Sequence, residues 1–294
     1  MVQPKLVECE DNRKKITIHS LKSKKDKGLR ISMLTAYDYP TALALDGARI
    51  DAILVGDSLG MVVLGYENTL PVSMEVMIHH CKAVARGVTG ALLIGDMPFL
   101  SYQISEEEAI INAGRLLQEG GMDAVKMEGG KERINTIQSV VNSGIPVMGH
   151  LGLTPQSIHQ LGGFRSQAKD AVKAHKLVED AQLLQESGCF SIVLESIPGR
   201  LAGYISKKLI IPTIGIGAGG GCDGQVLVTH DLLGLFQRFT PKFVKKYANF
   251  FEEMNRVFSI YRSEVEGGLF PANEHTIEMP DQEWLKFLEI EKSS

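Results

Sequence analysis

The sequence predicts an α/β protein built as one (β/α)8 TIM barrel with short N-terminal and C-terminal extensions, and three observations carry that reading. The chain has 294 residues, 44% of them hydrophobic and 22% charged, enough for a full core in one domain, since barrels of about 250 residues fold as single units. Short β-rich runs alternate with longer helical stretches, the pattern of a parallel sheet with crossover helices. Most of those runs are continuously apolar, as strands covered on both faces must be.

The elements follow in chain order. Ahead of the barrel, a short helix is expected around 18–24, overlapping a basic run at 22–27 that reads as a solvated face or a cap. The first two strands are 31–36 (ISMLTA) and 52–56 (AILVG), followed by a helix over 73–86 that Gly87 ends, and then by a third strand at 91–95 (ALLIG). Ser105 and Glu108 have the spacing of a capping box, and the helix begun there stops at Gly120 and Gly121. Strands four and five are 124–127 (AVKM) and 146–149 (PVMG). A helix over roughly 166–187 sets Val172, Leu177, Val178, Ala181 and Leu184 on one face before Gly188 ends it. Strands at 191–194 (SIVL), 212–215 (PTIG) and 225–229 (QVLVT) complete the set. The whole chain, 1–294, is read as one domain, with a barrel core over about 30–263 and a C-terminal arm over about 264–294 that docks or ends in disorder.

Composition excludes several function classes. A formal charge of −4 gives no basic field, so neither nucleic acid nor an anionic membrane is the expected partner, and a small polar substrate is. Cys9, Cys81, Cys189 and Cys222 are far apart and form no C-x-x-C pair. They therefore read as reduced thiols rather than a disulfide framework or a zinc site. The start, MVQPKLVECEDNRKK, lacks the apolar run of a signal peptide, and no stretch is apolar enough over about 20 residues to span a bilayer. A soluble, unprocessed cytoplasmic protein is expected.

The chemistry is carried by where ionisable residues fall. Asp57 ends the second strand (LVGD), Asp96 the third (LIGD), Glu128 the fourth (VKME), His150 the fifth (VMGH) and Glu195 the sixth (VLES). In a (β/α)8 barrel the C-terminal rim is the active face, so these side chains converge on one cavity. Carboxylates gathered there repel one another, and an oxygen-only set such as Asp57, Asp96 and Glu128 suits a hard cation, magnesium above all. A 2-oxo acid would chelate such an ion through its carboxylate and keto oxygens, which polarises the carbonyl and acidifies the adjacent C–H. Lys126, two residues before Glu128, shares its face of the strand by side-chain alternation and can neutralise the developing charge.

Each residue also has a plainer reading. An Asp at a strand end is commonly a helix cap or loop anchor, and Lys126 alone would be a structural partner of a carboxylate. His150 reads as a hydrogen-bonded core histidine and stays outside the catalytic set. Glu195, between SIVL and SIP, has no polar strand neighbours and needs a partner or a function. The run 215–224 (GIGAGGGCDG) contains a formal G-x-G-x-x-G, but a strand-like QVLVTHD follows it instead of a helix, so the dinucleotide reading fails its context. Its glycines read as sites of close backbone approach, with a phosphate nest as the alternative.

Beyond these residues, long ordered motifs over about 34–275 resemble the ketopantoate hydroxymethyltransferase family: LTAYDYP at 34–40, VGDSLGMVVLGYENTLPVSMEVMIHH at 55–80, GDMPFLSYQ at 95–103, AVKMEGG at 124–130, MGHLGLTPQS at 148–157, VLESIP, and GIGAG followed by DGQVLVTHDLLG. The resemblance implies a (β/α)8 barrel that transfers a hydroxymethyl group from 5,10-methylenetetrahydrofolate, as co-substrate, to 3-methyl-2-oxobutanoate, giving 2-dehydropantoate in pantothenate biosynthesis. It implies one magnesium per subunit held by Asp57, Asp96 and Glu128, oxo-acid contacts from Asp57, Ser58, Asp96 and Lys126, and Glu195 as catalytic base. It also implies a homo-oligomer, a decamer in the family. One segment departs from the family pattern, reading GGFRSQAK where relatives commonly carry K-V-Q-G-R.

Two rival readings remain at the level of sequence. One is another magnesium-dependent oxo-acid lyase or mutase of the same barrel superfamily, whose signature has a reactive cysteine near the site; here neither Cys81 nor Cys189 ends a strand. The other is a phosphate-binding barrel acting as a sensor or assembly component, resting on the glycine run alone.

Overall fold

The computed structural model describes residues 13–293. Eight parallel strands close into a barrel in sequence order: β1 (Ile31–Thr35), β2 (Ala52–Val55), β3 (Leu92–Asp96), β4 (Ala124–Glu128), β5 (Val147–Gly152), β6 (Ser191–Glu195), β7 (Thr213–Ile216) and β8 (Gly224–Leu227). The fold expected from the sequence is therefore the one observed. Thr229 begins a short helix instead of ending β8, and β5 runs past His150 to Gly152.

Alternation along the strands divides the core in two. Ile31, Met33, Ala52, Leu54, Leu92, Ile94, Ala124, Met148, Val193, Ile214 and Val226 fill the barrel interior. The residues between them, among them Ile53, Val55, Leu93, Val125, Met127, Val147, Ile192 and Leu194, pack outward under the helices. The interior set is apolar as far as one layer below the C-terminal rim. On β3, β4, β5 and β6 the next inward positions are Asp96, Lys126 and Glu128, His150, and Glu195, so the same periodicity that builds the core delivers the polar set to one end.

The opposite end is closed by the helix Ile18–Asp26, whose Leu21 is fully buried with the barrel interior, a burial worth roughly 1.5–3 kcal/mol. The basic run is thus a cap and only partly solvated. Lys24 Nζ lies 2.5 Å from Asp51 Oδ1, and Lys25 Nζ lies 2.9 Å from Asp223 Oδ2.

The helices Met74–Ala85 and Glu106–Gln118 start where expected. Ser73 accepts from the Val76 amide and Ser105 from the Glu108 amide. The third expected helix is shorter, Ala171–Glu186, capped by Asp170. It buries Leu177, Val178, Ala181 and Leu184, but Val172 is 81% exposed. Val172 lies nine residues, close to a half-integral number of turns, from Ala181, and so belongs to the opposite face.

Contacts divide the chain after Lys246. The second unit holds the helices Phe250–Glu266 and Asp281–Ser293, so the expected arm over 264–294 carries ordered helix within its described residues. Among the described residues no helix is long and apolar enough to cross a membrane. Cys81, Cys189 and Cys222 are free and buried, and Cys9 lies outside the described residues.

Candidate active site

A cavity of about 440 Å³ opens at the C-terminal ends of the strands, and Asp57, Ser58, Asp96, Lys126, Glu128, His150 and Glu195 all line it. Strand register brings them together. Asp96 on β3 stands opposite Lys126 on β4, and Glu128 opposite His150 on β5. Asp57 follows β2 by two residues and is held from below by its own backbone, whose amide donates to Asp96 Oδ2 at 3.3 Å.

Lys126 Nζ is 2.6 Å from Asp96 Oδ1 and 3.9 Å from Glu128 Oε1. The first is an ion pair without hydrogen-bond alignment, so among the described residues Asp96 Oδ1 has no hydrogen-bond donor of its own. His150 joins two carboxylates: Nδ1 is 3.2 Å from Glu128 Oε1, and Nε2 is 3.2 Å from Glu195 Oε2. Gln156, from the loop after β5, gives its backbone amide to Glu128 Oε2 at 3.1 Å and its side-chain amide to Asp57 Oδ2 at 3.0 Å. Tyr102 in turn donates to Gln156 Oε1 at 2.8 Å, which fixes the orientation of that amide.

Burial and mutual repulsion decide the protonation of this cluster. Burial, then the charges of Asp96 and Glu128, push the Asp57 carboxyl well above the usual carboxylate range. Asp96 is also raised, by burial first, against the pull of Lys126. Glu128 goes the other way: burial would raise it, but His150, Lys126 and the Gln156 amide together hold it down. Burial and Lys126 both oppose a charge on His150, yet its contacts with the Glu128 and Glu195 carboxylates outweigh them and lift it to about 9. A protonated imidazole would donate from Nδ1 to Glu128 and face Glu195 from Nε2 as an ion pair.

These residues fit a divalent cation. Four carboxyl groups, Asp57, Asp96, Glu128 and Glu195, face two cations, Lys126 and His150. Full ionisation of these four would leave two uncompensated negative charges, a repulsion that adds to burial in raising Asp57 and Asp96. Among the described residues no three His, Cys, Asp or Glu groups are already gathered around a single point. Magnesium does not require that, since it binds through one or two carboxylates and keeps waters on its other positions.

The backbone around Glu195 is built for close approach. A Cβ on Gly152 would stand 2.2 Å from the Glu195 carbonyl oxygen, so only glycine lets β5 pass there. Ser196 has φ +53, a left-handed conformation in a residue with a side chain, of the kind that concentrates at functional positions. The segment GGFRSQAK is tied to this turn, for the Gln167 amide donates to the Ser196 carbonyl at 2.9 Å.

All the residues singled out from sequence line the chamber. Sequence reasoning set aside His150 and missed Gln156, Tyr102, Thr69 and Asp231. Gln156 stood in the quoted motif MGHLGLTPQS, which was the one signal available for it. Asp231 and Thr69 carried none outside their motifs.

Comparison with known proteins agrees with the geometry. The family described as ketopantoate hydroxymethyltransferase matches residues 15–273. A 3-methyl-2-oxobutanoate hydroxymethyltransferase of Moorella thermoacetica is 57% identical, over 90% of this chain and 98% of that protein. One from Syntrophomonas wolfei is 55% identical, over 91% and 97%. Among solved structures, a phosphonopyruvate hydrolase in complex with oxalate and Mg++ superposes with TM-score 0.58 at 12% identity, covering 95% of this chain and 97% of that one. A 2,3-dimethylmalate lyase, a PEP mutase/isocitrate lyase superfamily member, gives 0.52 at 13%, covering 94% and 95%. At those identities the structural likeness concerns the fold alone.

Proposed function

The chain belongs to the ketopantoate hydroxymethyltransferase family, and we propose that it transfers a hydroxymethyl group from 5,10-methylenetetrahydrofolate to 3-methyl-2-oxobutanoate, giving 2-dehydropantoate. The observation that carries this reading is the pairing, in one chamber, of an acidic oxygen set with Lys126 on one side and the His150–Glu195 pair on the other.

Asp57 and Asp96, with Glu128 completing the oxygen set, would hold one magnesium ion, which when bound polarises the keto carbonyl and acidifies the C3–H. Lys126 and Ser58 fix the oxo acid, Lys126 by charge and Ser58 by a hydroxyl that Tyr37 Oη orients at 2.8 Å. Leu54, Val193 and Val226 give the branched alkyl group an apolar seat. Glu195 handles the proton transfers as general base, in the orientation His150 gives it. The C3 carbanion left by that deprotonation attacks the methylene carbon of the donor. The new C–C bond forms as the methylene's bonds to the folate N5 and N10 break, water supplies the hydroxyl oxygen, and the C3 proton and one proton of that water end on the two nitrogens of tetrahydrofolate. Assembly into a homo-oligomer, a decamer by family resemblance, belongs to the same proposal. The lyase or mutase alternative has only the shared fold in its favour.

The test is deuterium exchange at C3 of 3-methyl-2-oxobutanoate, followed by proton NMR. Exchange that requires magnesium is expected. Its absence both with and without tetrahydrofolate would overturn the oxo-acid assignment.

A further inference from the structure

The chamber is larger than its acidic floor needs. Even at roughly 30 Å³ per heavy atom, a five-carbon oxo acid takes up about 240 Å³, whereas the cavity holds about 440 Å³. The remaining space is bounded by a different chemistry. Phe236, Phe239 and Phe243, from the segment after β8, and Phe164, from the loop after β5, form an aromatic wall. Phe236 and Phe239 meet edge to face at 5.3 Å, and Phe164 and Phe239 lie 6.2 Å apart. Phe243 rests on bare backbone, since a Cβ on Gly217 would stand 2.6 Å from its ring. Phe164, Phe239 and Phe243 nevertheless remain 49%, 45% and 38% exposed. Rings clustered at a cavity mouth with so much free face are suited to a flat partner.

Asp231 lines the same space. It is half-buried, and among the described residues its carboxylate has no hydrogen-bond or ion-pair partner; Lys246 acts on it only as a more distant charge. Burial lifts the group to about 6. Its neighbourhood reaches the oxo-acid end, for its charge is felt by Tyr37, which hydrogen-bonds Ser58. A carboxylate without a hydrogen-bond or ion-pair partner among the described residues, lining the same cavity as half-exposed aromatic rings, is complementary to a planar heterocycle with two adjacent N–H donors on one edge. A reduced folate carries that edge on its 2-amino-4-oxopyrimidine ring, where N3–H and the 2-amino group can meet a carboxylate in bidentate fashion, as a guanidinium does.

We propose that Asp231, with the wall formed by Phe164, Phe239 and Phe243, is the seat of the one-carbon donor's bicyclic ring. The carboxylate accepts from the 2-amino-4-oxo edge, the phenyl rings cover the face, and exposed Lys242 at the mouth meets the carboxylates of the donor's tail. This rests on the hydroxymethyl-transfer reading.

Calorimetric titration of the full-length protein with tetrahydrofolate tests it. Asp231→Ala should raise the dissociation constant by about tenfold to a hundredfold, the loss of a charged bidentate contact, with a much smaller effect on the KM for the oxo acid. A second probe separates recognition from general damage. The wild type should prefer pterin to lumazine, which lacks the 2-amino group; Asp231→Ala should lose that preference, whereas Phe239→Ala should weaken both ligands alike. Should the alanine variant lose its cooperative melt, the isosteric Asp231→Asn reads the same contrast. Unchanged tetrahydrofolate affinity and an unchanged pterin preference in a folded Asp231 variant would overturn this seat while leaving hydroxymethyl transfer intact. A wild type that binds no tetrahydrofolate, with or without the oxo acid, would overturn the hydroxymethyl-transfer reading itself.

Discussion

His150 Nε2 lies 3.2 Å from Glu195 Oε2, although in the β5–β6 register His150 stands opposite Val193 and Glu195 opposite Gly152. The pair forms diagonally, across a position that has no side chain. Gly152 admits the Glu195 backbone, since a Cβ there would stand 2.2 Å from the Glu195 carbonyl oxygen. One ring thereby links the acidic floor, through Glu128, to the proposed base.

That link predicts a split between two substitutions. Glu195→Gln keeps the shape of the side chain and should lower kcat by about 10²–10⁴-fold, the usual scale of general acid–base catalysis, while a magnesium titration stays close to the wild type. Asp96→Asn should weaken magnesium by about tenfold or more and lower turnover with it, since even residues that only support metal ligands cost that much. Near-normal turnover in the first variant, or unchanged magnesium dependence in the second, would remove that residue from its role.

His150 sets a pH dependence of stability. Its folded value of about 9 stands above the usual histidine value, roughly 6.5 in the unfolded chain. Between those values the folded state binds more protons than the unfolded one. The contribution is therefore complete below about pH 6.5 and is lost as pH rises through 9. The metal-free protein should melt at progressively lower temperature across that window, and His150→Gln should flatten the profile; a wild-type melting temperature that rises there would contradict the ion-pair arrangement.

Thr69 places a buried hydroxyl in the chamber, with no hydrogen-bond partner among the described residues. Such a group costs on the order of 1 kcal/mol or more in the free protein and repays it only when a ligand accepts or donates there. Thr69→Val should raise the stability of the free protein by about 1 kcal/mol and raise the oxo-acid KM by about fivefold to tenfold. A destabilised free protein with unchanged KM would mean that the hydroxyl serves the fold.

The barrel and half of its site were legible in the sequence for one reason. Strands buried on both faces are written as unbroken apolar runs, and a charged residue at the end of such a run has nowhere to go but the rim. Asp57, Asp96, Glu128 and Glu195 each follow an apolar strand directly, and Lys126 shares the inward face of Glu128. Helix starts at Ser73 and Ser105 were equally readable, because a cap is a local hydrogen bond. Val172 was misplaced because it stands about two and a half turns from Ala181 and so falls on the opposite face.

Pairing across the barrel belongs to another scale. Gln156 reaches Asp57 across 99 positions of sequence, His150 meets Glu195 only diagonally, and Lys25 finds Asp223 at the far end of the barrel. Asp231 and the phenylalanines around it come from connecting segments with no periodic signal. The sequence by itself determined which residues must be strand, which must be core and which charges end at the rim, since those follow from local alternation and from the cost of burying charge. Strand register and loop placement, decided only when the barrel closes, determined which of those charges neutralise one another and which stay free to meet a ligand.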